Sequence, residues 1–262
     1  KLVNMAYTNA VERLARESGR YAREEKLLEE LAQLLGMEKA PAVIESYDIS
    51  NWGDGTSVCG MVVFENGKPK RAGYRRFKMR TVDRTDDYAS MAEALSRRAA
   101  EYARGAAGQF GVLPDLILLD GGRGQVNAVR QAIAGTELAR VPLFGMVKDD
   151  HHRTRAIVTG EGREIAINLN RGVFTFVTAI QDEVHRFAIT YQRWQQKKKS
   201  YASTLTEVPG VGPATAKALL ARFKTVGAVR QASPDELAMT DGVGPAMAQR
   251  IYGYFHGGTP AN

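Results

Sequence analysis

The segment Pro114-Asp115-Leu116-Ile117-Leu118-Leu119-Asp120 sets four apolar residues in a row, ends on a carboxylate and runs into Gly121-Gly122. A strand with no polar alternation has no face to give to water, so it belongs inside a sheet covered on both sides, as in parallel arrangements. Pro41 opens a second such run over 42–49, and Val141 to Val147 is a third. Between the first two, strands at about 57–65 and 70–79 are joined through Asn66-Gly67, a strong hairpin signal, which predicts a three-strand meander. Asp86 begins a helix on which Tyr88, Met91, Ala92, Leu95 and Ala99 share a face, ending near Gly105. Further helices are predicted at about 125–134 and 172–194, and a small hairpin at 155–158 and 164–168. Apolar residues at 3- and 4-residue steps make 5–36 helical, as one helix or two, with Gly36 as a stop. The order βββαβαβ, then a helix, indicates an α/β or α+β domain with a mixed sheet.

With 262 residues, one or two domains are expected. Hydrophobic residues make up 44% and charged residues 25%, and no apolar run nears the ~18–20 residues of a bilayer span, so no membrane role is expected. The single cysteine, Cys59, excludes an internal disulfide and a Cys-rich zinc site, which fits a cytoplasmic location. The first residue is Lys1, which suggests a fragment. The net charge is +7, and from Gln192 onward nine Lys and Arg stand against four Asp and Glu. The last quarter is therefore where a polyanion is expected to bind.

That quarter contains a repeat. Val208-Pro209-Gly210-Val211-Gly212-Pro213-Ala214 recurs 32 residues later as Thr240-Asp241-Gly242-Val243-Gly244-Pro245-Ala246. Each copy precedes a helix, 213–223 or 245–255, with Pro where the missing N–H does no harm, and Ser233-Pro234-Asp235-Glu236 between them is a capping box. Two glycines one residue apart expose backbone N–H groups just before a helix, a geometry that cradles phosphate. The doubled motif resembles the tandem helix-hairpin-helix of DNA repair and replication proteins. The resemblance implies backbone contacts from Gly210, Val211, Gly212, Gly242, Val243 and Gly244, with Val211 and Val243 anchored in the core. Lys217, Arg222, Lys224 and Arg250 are available to add charge.

The acids of the first region point to chemistry. Asp48 interrupts an apolar strand and Asp120 ends another. A carboxylate in a buried strand is costly unless it is paired or binds a cation. Alone, Asp48 suits a bridge to an arginine, and Asp120 suits the start of the Gly-Gly turn. Together, in a basic chain with a DNA-binding tail, they suggest a nuclease whose neighbouring strands share Mg²⁺ or Mn²⁺. Of four histidines, His185 in Asp182-Glu183-Val184-His185-Arg186-Phe187 lies on a helix able to return to the strand ends. The residues leave open whether it is a ligand or a general base, and whether one ion or two are held. His151 and His152 read as a polar loop and His256 as a helix end. Asp86 and Asp87 suit helix capping, and Asp87 is also a candidate for the metal's outer sphere. Lys148, at a strand end, is a candidate phosphate contact. Gly122-Arg123-Gly124 lacks the rest of a dinucleotide fingerprint, no Walker A or HExxH pattern occurs, and Trp52 and Trp194 read as packing or rim residues.

Five blocks then occur in a diagnostic order: Tyr47-Asp48-Ile49-Ser50, Asp86-Asp87-Tyr88-Ala89-Ser90-Met91, Leu118-Leu119-Asp120-Gly121-Gly122-Arg123-Gly124-Gln125, Lys148-Asp149-Asp150-His151-His152-Arg153-Thr154 and Asp182-Glu183-Val184-His185-Arg186-Phe187-Ala188-Ile189-Thr190-Tyr191. With the doubled hairpin they resemble the C-terminal half of UvrC, the incision subunit of bacterial nucleotide excision repair, over about 20–256. The resemblance implies an RNase H-like endonuclease domain with a mixed sheet and flanking helices, plus a small all-α tandem helix-hairpin-helix domain, cutting on the 5′ side of a DNA lesion. It implies a catalytic set of Asp48, Asp120 and His185, a further acid at Asp87, and Mg²⁺ or Mn²⁺. The implied partners are damaged double-stranded DNA, the UvrA–UvrB complex, and UvrB itself through a segment expected upstream of Lys1, as is a GIY-YIG nuclease domain. Asn51 stands where many relatives are expected to carry His. The implied organisation is a helical leader at 1–40, nuclease domain at 41–191, basic linker at 192–204, helix-hairpin-helix domain at 205–256 and tail at 257–262. Competing readings are a non-catalytic DNA-binding module with a degenerate nuclease fold, and a resolvase-type nuclease for branched DNA.

Overall fold

The computed structural model describes residues 2–51, 57–79, 86–148 and 154–257, with the backbone alone for 2–12, 14–17 and 191–202. The chain divides into two compact units, Lys1–Thr190 and Tyr191–Asn262.

In the first unit, helix α1 (Leu2–Leu35) leads into β1 (Val43–Asn51), β2 (Ser57–Glu65), β3 (Lys68–Pro69) and β4 (Arg75–Lys78). Then come α2 (Asp87–Ala103), β5 (Leu116–Asp120), α3 (Arg123–Ala132), β6 (Leu143–Lys148), β7 (Thr154–Val158), β8 (Glu164–Ala166) and α4 (Arg171–Thr206), the last of which belongs to this unit up to Thr190. The strands form one mixed sheet in the order β3-β2-β1-β5-β6-β7-β8, with β4 also paired to β2. β1, β5 and β6 are parallel neighbours at its centre, and the outer pairs are antiparallel. The fully apolar strand is buried as its composition requires: Leu116, Ile117, Leu118 and Leu119 are all inaccessible to solvent. Leu116 and Leu118 meet Leu28, Leu31 and Leu35 of α1 and Val173, Val177, Ile180 and Val184 of α4. Ile117 and Leu119 meet Met91, Ala94 and Leu95 of α2 and Val126 and Val129 of α3 on the opposite face.

Asn66 and Gly67 both have positive φ, +50° and +77°, as a tight hairpin between twisted strands demands. The strand expected at 70–79 begins earlier and is broken. Pro69 has no N–H with which to extend the ladder, a 3-10 turn follows at Arg71–Gly73, and pairing to β2 resumes with β4. Residues 5–35 fall within one helix, α1, whose last turns belong to the core, and Gly36 follows its end with a φ of +70°. Tyr88 departs from its expected face and is 52% exposed. Residues 192–204, expected as a linker, continue α4, since they contain neither Gly nor Pro and are rich in Lys, Gln and Arg, good helix formers. Trp52, His151 and His152 lie outside the described residues, as does the side chain of Trp194.

In the second unit, α5 (Pro213–Phe223), α6 (Val226–Gln231), α7 (Pro234–Ala238) and α8 (Pro245–His256) share a core of Leu205, Val211, Leu219, Leu237, Val243 and Ile251, among others. The Ser233–Glu236 capping box is formed. No described helix is long and apolar enough to cross a membrane.

Candidate metal centre and nucleic-acid surface

Parallel neighbours end together, so the carboxyl ends of β1, β5 and β6 gather their last side chains at one rim, where open α/β sheets bind ligands. The register pairs Tyr47 with Leu119, which sets Asp48 beside Asp120 one step on, both on the face covered by α4. Opposite Asp48 on β2 is Gly60. A Cβ at that glycine would stand 3.3 Å from both Cα and Cβ of Ala188 and from the Phe187 ring, so its absence lets α4 approach the sheet. That approach delivers His185.

His185 Nδ1 lies 2.9 Å from Asp48 Oδ2 and 3.9 Å from Asp120 Oδ2. Lys148 Nζ donates to Asp120 Oδ2 at 2.9 Å. Gln181 Nε2 donates to Asp120 Oδ1 at 2.7 Å and to the Met146 carbonyl at 3.3 Å, and its Oε1 accepts from the Thr154 hydroxyl. The carboxylate side chains are 10% and 7% exposed, the imidazole 50%, so the cluster is walled by protein and open at the histidine. Burial pushes the Asp48 carboxyl above its ordinary range, and the Asp120 charge adds to this, while the hydrogen bond from His185 opposes it. The same hydrogen bond raises the His185 imidazole against the opposing effect of burial. Burial, helped by the Asp48 charge, likewise raises the Cys59 thiol.

One donor atom from each of Asp48, Asp120 and His185 lies within 4.8 Å of the others, the one such group among the described residues. Ligands of a small divalent cation sit at about 2.1 Å and so up to about 4.2 Å apart. Shifts of a fraction of an ångström would bring the two oxygens and one nitrogen within the span of a single shell. The donor set fits Mg²⁺ or Mn²⁺, the two oxygens favouring hard ions.

Asp87 is not part of this group. It opens α2, and its Oδ1 accepts from Asn51 Nδ2 at 2.6 Å, while Asn51 Oδ1 accepts from Ser57 Oγ at 2.7 Å. Asp86 caps α2 by accepting from the Ala89 N–H. Lys148, a candidate phosphate contact by sequence, is held here by Asp120. Gln181, Thr154 and Gly60 escaped the sequence reading. The one signal for Gln181 was its place four residues before His185, on the same face of α4.

In the second unit the two hairpins repeat each other in backbone detail. Gly210 and Gly242 take the left-handed conformation, with φ of +87° and +75°. Val211 N–H bonds the Val208 carbonyl, and Val243 N–H bonds that of Thr240, each at 3.0 Å. Gly212 and Gly244 cap α5 and α8 with φ of −84° and −77°, which any residue adopts. A Cβ at either would meet nothing within 4 Å. Neither strain nor internal packing calls for glycine there. Lys217 is exposed on α5, and Arg250 of α8 donates to the Pro209 carbonyl of the first hairpin.

The family described as the UvrC RNase H endonuclease domain matches residues 32–189, a span holding Asp48, Asp120 and His185. The chain belongs to the UvrC family. A second family, the SAM-like helix-hairpin-helix tandem, matches 202–252 and spans both hairpins. UvrABC system protein C of Acetivibrio thermocellus is 42% identical across 97% of the chain and 43% of that protein. Those of Alkaliphilus oremlandii and Clostridioides difficile are 44% and 41% identical, across 88% and 97% of the chain and 39% and 41% of their own lengths. The chain thus spans about two-fifths of the UvrC relatives it matches. The UvrC resemblance carried by the five ordered blocks is borne out, as is an RNase H-like mixed α/β fold joined to a helix-hairpin-helix tandem.

Proposed function

We propose that this chain carries a divalent-metal-dependent endonuclease that makes the 5′ incision at damaged DNA in nucleotide excision repair, acting with the UvrA–UvrB complex. The observation that carries the reading is the meeting of Asp48, Asp120 and His185 at the carboxyl ends of the central strands. Asp48 and Asp120 hold Mg²⁺ or Mn²⁺ and His185 completes the set as ligand or base. When bound there, such an ion would supply Lewis-acid polarisation of a phosphoryl oxygen and activation of water at neutral pH. Asp48 and Asp120, walled in by protein, direct their oxygens into the site. His185, half exposed, is reachable from solvent and can exchange a proton at Nδ1. Lys148, beside Asp120, would be available as a donor to a phosphate oxygen were that carboxylate engaged by a cation. Asp87, tied to β1 through Asn51, supports the same rim. Gly210, Val211, Gly212, Gly242, Val243 and Gly244, with Lys217, bind the sugar-phosphate backbone without reading bases. The leader, linker and tail boundaries belong to this proposal.

The test is a 5′-labelled bubble duplex bearing a bulky lesion, incubated with Mn²⁺, with and without UvrA and UvrB. The expected result is one nick 5′ of the lesion, abolished in Asp120→Ala while duplex binding persists. Unchanged cutting by Asp120→Ala defeats the assignment, and preferential cutting of four-way junctions favours a resolvase instead.

A further inference from the structure

Gln181 and His185 stand one turn apart on α4, and each is hydrogen-bonded to a different carboxylate of the cluster. Among Val177, Ile180 and Val184, which give α4 its apolar inner face, Gln181 is anomalous: a primary amide only 2% exposed. A buried amide must place two N–H donors and one carbonyl acceptor. Here each face has a partner, and the partners' chemistry allows a single orientation. The Asp120 carboxylate and the Met146 carbonyl only accept, so the NH₂ must face them. The Thr154 hydroxyl, itself buried at the start of β7, is left to donate to Oε1. A flipped amide would set oxygen against two acceptors, at the cost of leaving buried groups unsatisfied.

The polarity of this chain decides how Asp120 presents itself. Its Oδ1 is occupied by Gln181, and Oδ2 is turned toward Lys148 and His185. We propose that Gln181 is a positioning residue of the metal centre: with Thr154 behind it, it clamps Asp120 so that Oδ2 alone faces the cation, a single-oxygen ligand. The inference rests on the reading that Asp48, Asp120 and His185 hold that cation. α4 then carries two functions one turn apart, Gln181 orienting one carboxylate and His185 joining the other. Partners that orient a ligand in this way typically govern metal affinity by 10–100-fold.

The experiment titrates Mn²⁺ into the full chain by calorimetry, with urea unfolding of each variant to confirm that it is folded. Gln181→Met keeps the length and flexibility of the side chain and removes both donors and the acceptor. It is expected to weaken Mn²⁺ binding by about 10- to 100-fold. Thr154→Val removes only the hydroxyl that fixes the amide, so it is expected to weaken binding by a smaller factor in wild type and by nothing further in a Gln181→Met background. A role confined to docking α4 would lower the urea midpoint without moving Mn²⁺ affinity, and that result overturns the proposal. Should Gln181→Met fail to fold, Thr154→Val decides: weaker binding supports the clamp and wild-type binding refutes it. If wild type binds no Mn²⁺, or Asp120→Ala binds as tightly as wild type, the metal reading itself falls and the clamp with it. That outcome is distinct from one in which Asp120 matters and Gln181 does not.

Discussion

Glu45 and Asp48 are three residues apart on β1 and so project from opposite faces of the sheet. Glu45, fully buried, accepts from both Nε and Nη2 of Arg98, itself fully buried, and from the Tyr47 hydroxyl at 2.6 Å. Arg98 also reaches the backbone carbonyls of Gln109, Phe110 and Val112. Glu45 and Arg98 thus neutralise each other within the chain. Asp48, nearly as buried, has a half-exposed imidazole, a second acid beside it, and a carboxyl raised by burial. Burial of an acid does not by itself mark a site. The mark is a carboxylate whose neutralisation the chain leaves incomplete, at a rim that solvent can reach.

The sharpest way to break this contrast is to exchange the losses. Asp48→Ala is expected to cut bubble duplex about 10⁴-fold more slowly, the scale set by removing one member of a catalytic unit. Its urea midpoint should hold or rise, because a carboxyl whose folded pKa exceeds its unfolded one destabilises the fold once ionised. Glu45→Ala should do the opposite. Stranding Arg98 without its counter-charge costs about 3–5 kcal/mol in urea unfolding, while the molecules that remain folded keep their Mn²⁺ affinity. If both variants lose both properties, the two faces are not separable and the contrast fails.

Next in size is Gly60→Val, which drives side-chain atoms into Ala188 and Phe187. Overpacking there should cost about 1–3 kcal/mol of stability, and Mn²⁺ titration should show weaker binding as α4 is displaced. The smallest effect concerns pH. Pairing with Asp48 raises the folded His185 pKa above its unfolded value, so its stabilisation is full below about pH 6.5 and fades as pH rises through the folded value. Exposure limits it to a few tenths of a kcal/mol at about the scale of surface pairs. Melting curves in chelator from pH 5 to 9 should show this slope for wild type and its loss in His185→Gln.

Much of this was legible in the chain because it follows from local periodicity. The unbroken apolar run at 116–119, the Asn66-Gly67 turn and the doubled glycine hairpin each require only their neighbours in sequence, and each appears where expected. The meeting of Asp48 and Asp120 was legible for another reason: acids set in apolar strands are expensive, and so announce a partner, while the resemblance joined His185 to them. Gln181 was not legible, because a glutamine inside a helix carries no such penalty on paper. Its meaning comes from Thr154 and Met146, brought close only by the fold. Glu45 was overlooked for a related reason, since its arginine lies 53 residues away on α2. Helix ends were misjudged where charge was read as a break: the lysines and glutamines after Gln192 are good helix formers, and α4 runs on to Thr206.

The pleat of β1 also limits how genes for this fold can drift. Nine consecutive residue pairs lock β1 to β2, with Tyr47 opposite Met61 and Asp48 opposite Gly60. Loss or gain of a single codon between positions 45 and 48 would bring both acids to the same side. The fold would then carry either Asp48 inside the arginine's cage or Glu45 stranded at the rim. A substitution at 46 or 47 leaves both acids on their own faces; a one-residue insertion or deletion does not.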